Sequence, residues 1–261
     1  MTEKYNSLLH SVSEIEQVES IGKTGKIEIS INNENDIDIF IFCKNTPDFE
    51  VRKEAYKKID EKMIVKMHDF EGKFWGTLDI LKIDGLEICL MYFTIEKTED
   101  EINDILKGNR IKKEDNYFFP IGRCSTIKNI NILYEKNNFL KNMKEKLSVY
   151  PDELYNKNIE YHVSKLNDRE DIERAISLED VLFYHNALDI SLEHFLQLLF
   201  TKNKCFFSSR KRNALLMEEM KIRPNNCIER LFEIIELGGN VKTITKSYEK
   251  WKKLIKELIE L

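Results

Sequence analysis

Two aspartates one residue apart, Asp36 and Asp38, stand at the head of a strand-forming run, Asn35-Asp36-Ile37-Asp38-Ile39-Phe40-Ile41-Phe42-Cys43. Side chains alternate across a strand, so both carboxylates leave on one face while Ile37, Ile39 and Ile41 point into packed protein on the other. Carboxylates crowded in this way repel each other and raise one another's pKa unless a cation lies between them. Hard oxygen ligands of this kind suit Mg2+, which takes one or two protein carboxylates and fills its shell with water and substrate phosphate. The pair therefore points to nucleotide chemistry, with Asp36 and Asp38 as metal ligands. A plain strand end, with aspartates serving solubility or a turn, is the competing reading.

The elements around the pair must hold it in place. Residues 3–19 carry a helical stripe of Leu8, Val12, Ile15 and Val18, followed by short β-branched segments at 18–21 and 27–31 around Gly22 and Gly25. The pattern predicts a helix over 49–67, strands over 74–83 and 86–94 joined at Asp84-Gly85, a helix over 96–107 and a last strand over 127–134. Beyond residue 135 apolar residues recur three or four apart, as in Val181, His185, Leu188, Leu192, Phe195, Leu196 and Leu199. Pro151 opens a long helix and Gly238-Gly239 closes another. The reading is α+β: a mixed-sheet domain over 1–135, then an all-α helical bundle over 136–261.

Composition narrows the functions. The 261 residues suffice for two cores, and 33% charged residues with only nine Gly and four Pro argue against disorder. A net charge of −5 gives no global field for a polyanion, so nucleic acid is not the expected partner. The five cysteines lack metal-ligand spacing and read as reduced thiols. With no signal-peptide pattern at the start and no apolar run of membrane-spanning length, the expected location is the cytoplasm and no membrane partner is expected.

A glycine turn, about ten residues, a strand bearing Asp-any-Asp, a helix and a further strand together resemble the nucleotidyltransferase superfamily that includes antibiotic nucleotidyltransferases. The C-terminal stretches Asp180–His185, Phe195–Phe200, Phe206-Phe207, Arg210-Lys211-Arg212 and Arg223–Cys227 resemble the helical domain of a bacterial group within it. The resemblance implies a Gly-Ser turn gripping a nucleoside triphosphate, two strand carboxylates holding Mg2+ and a third activating an acceptor hydroxyl. Carried over here, Lys23, Thr24, Gly25 and Lys26 cradle the triphosphate, with Lys26 in the serine's place; a solvated turn with ordinary lysines is the alternative. Ile27 and Glu28 replace the family's small residue and arginine. Asp36 and Asp38 are the implied metal ligands; an aspartate is expected where Cys89 stands, and Glu87, on the same strand face, either takes the place of the third catalytic carboxylate or is a surface residue beside the hairpin turn. Lys211 in the basic patch is a further nucleotide contact, with a solvated helix start as its plain alternative. His185 reads as a core histidine, and Phe206 and Phe207 either stack on a base or pack the bundle.

The expected activity is Mg2+-dependent transfer of a nucleoside monophosphate from a nucleoside triphosphate to a hydroxyl of a small molecule, an antibiotic among the options. A catalytically degenerate nucleotide sensor and an antitoxin-like enzyme modifying a partner protein are the alternatives, and self-association as a homodimer stays open.

Overall fold

Among the described residues, six short runs build one mixed sheet in the order β3-β4-β5-β2-β1-β6. The strands are β1 (Val18–Lys23), β2 (Asp36–Cys43), β3 (Ile64–Met67), β4 (Thr77–Ile83), β5 (Leu86–Thr94) and β6 (Asn131–Glu135). The computed structural model describes residues 2–25, 36–72, 75–114, 119–209 and 211–261. The strand expected over 27–31 lies outside the described residues. Among the described strands β2 and β5 run parallel, and the other pairs are antiparallel. Parallel neighbours need a crossover, and here the chain travels through α2 (Phe49–Lys57), a 3-10 turn, β3 and β4 before it returns as β5.

On one face of the sheet Ile37, Ile39, Ile41, Ile88, Leu90 and Tyr92 pack with Tyr5, Leu8 and Val12 of α1 (Thr2–Ser13) and with Ala55 and Tyr56 of α2. The first helix stops at Ser13, short of the expected 19, and Val18 pairs with Cys43 in β1 instead. The helix expected over 49–67 also ends early, at Lys57. Asp60 then accepts from the Lys62 amide at 3.0 Å and caps the 3-10 turn, and β-branched Ile64-Val65 enters the sheet as β3. The helix expected over 96–107 is α3 (Ile95–Leu106), and residues 127–129 of the strand expected over 127–134 are instead the end of α4 (Ile121–Asn129). The Asp84-Gly85 turn is as the sequence requires, with φ of 51° and 92°.

Beneath the sheet Arg52 is fully buried. Its guanidinium pairs with buried Asp79 and donates to the carbonyls of Pro47 (3.1 Å) and His68 (2.6 Å). The Tyr56 hydroxyl donates to Asp79 at 2.7 Å and meets the Tyr92 hydroxyl at 2.6 Å. Burial, with Tyr92 and Asp79 adding to it, pushes the Tyr56 phenol well above its ordinary pKa, so it stays a donor. These bonds tie α2, β4, β5 and the segment at His68 into one body.

The chain divides into two compact units, Met1–Asn103 with Thr126–Val149, and Asp104–Ser125 with Tyr150–Leu261. Phe139 of α5 (Phe139–Lys146) sits 5.2 Å from the Phe42 ring, which keeps that helix with the sheet. Residues 104–125 go to the helical unit, where Lys113 pairs with Glu193 at 2.8 Å. That unit contains α6 (Asp152–Asn167), α7 (Glu170–Ser177), α8 (Val181–Lys202), α9 (Asn213–Glu218), α10 (Cys227–Gly238) and α11 (Ile244–Glu260). Asp180 caps α8 through the Phe183 amide at 2.9 Å. None of the described helices is long and apolar enough to cross a membrane.

Where α6 meets α8, His162 and His194 face each other through Nδ1 atoms 2.9 Å apart. The Phe119 ring flanks both. Burial, and then the neighbouring ring, lowers His162 to about 3. Burial, and then Lys165 and Lys113, lowers His194 to about 4.

Two outcomes are expected. Arg52→Met leaves Asp79 buried without its cation and lowers the unfolding free energy in urea by about 3–5 kcal/mol. The histidines' folded pKa values lie below the ordinary 6.5, so their contribution is complete above that value and is lost as pH falls toward about 4 and then 3. Urea midpoints read by Trp251 fluorescence therefore fall over this window, and the fall is shallower in a His162→Phe, His194→Leu double variant.

Candidate active site

Parallel pairing in register sets Asp36 opposite Glu87 and Asp38 opposite Cys89. Directly opposed residues share a face, so all four side chains leave the same side of the sheet, at the starting ends of both strands. Asp36 and Glu87 are exposed, while Asp38 and Cys89 are half-buried. Farther along this face Phe40, Phe42 and Met91 are buried, and Phe93 stacks with Phe40 and Phe42 at 6.0 and 5.9 Å. The polar ends thus rest on a packed apolar floor that fixes their backbone.

The thiol reports on its surroundings. Burial, followed by the charges of Asp38, Glu87 and Asp36, pushes Cys89 up to about 12. Its Sγ lies 3.8 Å from Glu87 Oε1. A thiol held neutral in this way does not replace an aspartate as a base, which leaves Glu87 as the third carboxylate of the patch. Among the described residues no group of three or more His, Cys, Asp or Glu side chains could hold a metal ion. Asp36 and Asp38 are two carboxylates on one face, the number that Mg2+ commonly takes from protein beside water and phosphate.

The glycine turn lies on the other side of β2. Strand β1 runs antiparallel to β2, and Lys23 pairs with Ile39, which brings Thr24-Gly25 beside the start of β2. Gly25 has φ of 77°, a conformation that suits glycine, and its carbonyl accepts from Asn131 Nδ2 at 2.6 Å. Gly22 is required for a different reason: a Cβ there would sit 2.4 Å from the Ile130 side chain. Thr24 is half-buried and Gly25 exposed, but Lys23 is 1% exposed and is not offered to a phosphate. Lys26 lies outside the described residues.

In the helical unit Lys211 is exposed just before α9, its amide donating to Ser209 Oγ at 3.2 Å; Arg210 lies outside the described residues. Phe206 and Phe207 are buried, at 4.9 Å from the Tyr150 ring and 5.1 Å from the Phe200 ring, so they are packing residues and do not stack on a base. His185 is half-buried against Tyr184.

Sequence reasoning missed two lysines on the carboxylate face. Lys82 pairs with Glu87 across the β4–β5 hairpin, and Lys66 pairs with Ile80, which in turn pairs with Cys89. The two-residue turn at Asp84-Gly85 already fixes the first pairing, whereas the second was hidden by the expected helix over 49–67.

No protein-family model and no curated protein matches the chain. Among solved structures, a nucleotidyltransferase-like protein from Exiguobacterium sibiricum 255-15 is similar, with a TM-score of 0.50 and 11% identity over 98% of this chain and 74% of that one. At this identity the likeness is one of fold: the chain has a nucleotidyltransferase-like α+β fold with a helical C-terminal part.

The crowding around Cys89 predicts its reactivity. At pH 8 iodoacetamide labels Cys89 slowly, and Asp38→Asn, which removes the largest charge acting on the thiol, raises the alkylation rate several-fold as read by peptide mass spectrometry. An unchanged rate would mean that Asp38 does not act on Cys89.

Proposed function

We propose that this chain is a nucleotidyltransferase that moves a nucleoside monophosphate from a nucleoside triphosphate to a hydroxyl of a small molecule. The observation that carries this reading is the shared face of Asp36, Asp38 and Glu87, with the Thr24-Gly25 turn beside it. Asp36 and Asp38 would hold Mg2+, which supplies charge neutralisation for the triphosphate when bound. The backbone amides of the glycine turn present donors to phosphate oxygens. Glu87 accepts the proton of the acceptor hydroxyl as its oxygen bonds to the α-phosphorus and the bond to pyrophosphate breaks. Lys26, next to this turn in the sequence, is proposed as an additional phosphate contact, and antibiotics with a free hydroxyl belong to the acceptor class.

One specific observation favours a second reading. Cys89, with its thiol held protonated, occupies the position facing Asp38. A site built this way binds Mg·nucleotide and is a poor catalyst of transfer, which is the behaviour of a sensor.

The test uses α-labelled ATP, GTP, CTP and UTP with Mg2+ and a panel of hydroxyl acceptors. An enzyme releases pyrophosphate and labels an acceptor; a sensor binds one triphosphate and does neither. In both cases Asp38→Asn weakens Mg·nucleotide binding at least about tenfold with the circular dichroism spectrum unchanged. Equal affinity in wild type and variant removes the basis for both readings.

A further inference from the structure

The carboxylates occupy only half of their sheet face. Register continues outward from them in two rows, Asp36–Glu87–Lys82 and Asp38–Cys89–Ile80–Lys66. Lys82 and Lys66 are exposed, Ile80 between them is half-buried, and among the described residues neither lysine has an ion pair or hydrogen bond with another side chain. Strands lie about 4.8 Å apart, so the Lys82 backbone is roughly 5 Å from Glu87 and that of Lys66 roughly 14 Å from Asp38. The glycine turn is on the opposite side of the carboxylates, beyond β2. A nucleotide gripped at that turn leaves the β4 and β3 side of the face to the second substrate.

We infer that the acceptor is a small hydroxyl compound carrying an anionic group, a phosphate or a carboxylate, which Lys66 and Lys82 bind while Ile80 supports its carbon skeleton. This rests on Asp36 and Asp38 as the nucleotide's cation site, and it narrows the acceptor class. A polycation such as an aminoglycoside would meet two ammonium groups here. A long polyanion is disfavoured by the net charge of −5. A compact anion with its hydroxyl one to two strand spacings away reaches Glu87 without drawing its own charge over Asp36 and Asp38.

Isothermal titration on the full chain tests this, in the presence of Mg2+ and a non-hydrolysable ATP analogue. The probes are ribose 5-phosphate, gluconate, neutral ribose and kanamycin. At least one of the two anions is expected to bind, about tenfold or more tighter than ribose and kanamycin, and which of them binds separates phosphate from carboxylate. In a Lys66→Gln, Lys82→Gln double variant that binding falls by at least about tenfold, each lost charged hydrogen bond accounting for up to that factor, while affinity for the Mg·analogue stays within twofold. Kanamycin or ribose binding as tightly, neither anion binding, or an anion affinity unaffected by the double variant overturns the proposal. So does an equal loss of Mg·analogue binding, which would give the lysines to the nucleotide. Failure of wild type to bind the Mg·analogue is a separate result and counts against the nucleotide reading itself.

Discussion

The in-register parallel pairing of β2 with β5 is the constraint on which the rest of this site depends. Asp-any-Asp on one strand gives two carboxylates on one face, but a lone strand does not say what stands beside them. The neighbouring parallel strand supplies Glu87 and Cys89 at the same height. Moving β5 by a single residue would send Glu87 and Cys89 into the apolar core and bring Ile88 to the site. That slip is blocked by the opposite face, where Ile37, Ile39, Ile41, Ile88, Leu90 and Tyr92 are all buried. Chemistry on one side of the sheet is therefore fixed by packing on the other.

The crossover between the two strands is anchored by polar contacts as well as apolar burial. Arg52, Asp79, Tyr56 and Tyr92 form a buried network in which one guanidinium joins the helix after β2 to the strand before β5. Such an ion pair contributes little against an apolar replacement of both partners, yet removing one partner is costly. Its value here lies in specifying how α2 and β4 meet.

Much of this was legible in the sequence. The Asp36 strand, the β5 strand and the Asp84-Gly85 hairpin announced themselves because alternation and a two-residue turn are local signals. The helical C-terminal part was legible for the same reason, from the stripe now seen in α8. What was not legible depended on distant partners. Residues 64–67 have the spacing of a helix tail and become an edge strand only because β4 is there to pair with them. Residues 127–129 are β-branched or polar without alternation and close a helix instead. Lys23 looked like a phosphate ligand beside a glycine turn, and its pairing with Ile39 buries it. Lys66 escaped notice because its place on the carboxylate face follows from two successive strand pairings.

The central claim is that Asp36 and Asp38 jointly seat the divalent ion of a bound nucleoside triphosphate. Crystals grown with Mn2+ and a non-hydrolysable triphosphate test it most directly through the anomalous signal of the metal. The account predicts a manganese peak roughly 2.0–2.2 Å from an oxygen of each aspartate and bridged to phosphate, the distance expected of a hard octahedral cation. A nucleotide whose metal lies away from both side chains, or ordered aspartates with no metal between them, would contradict it.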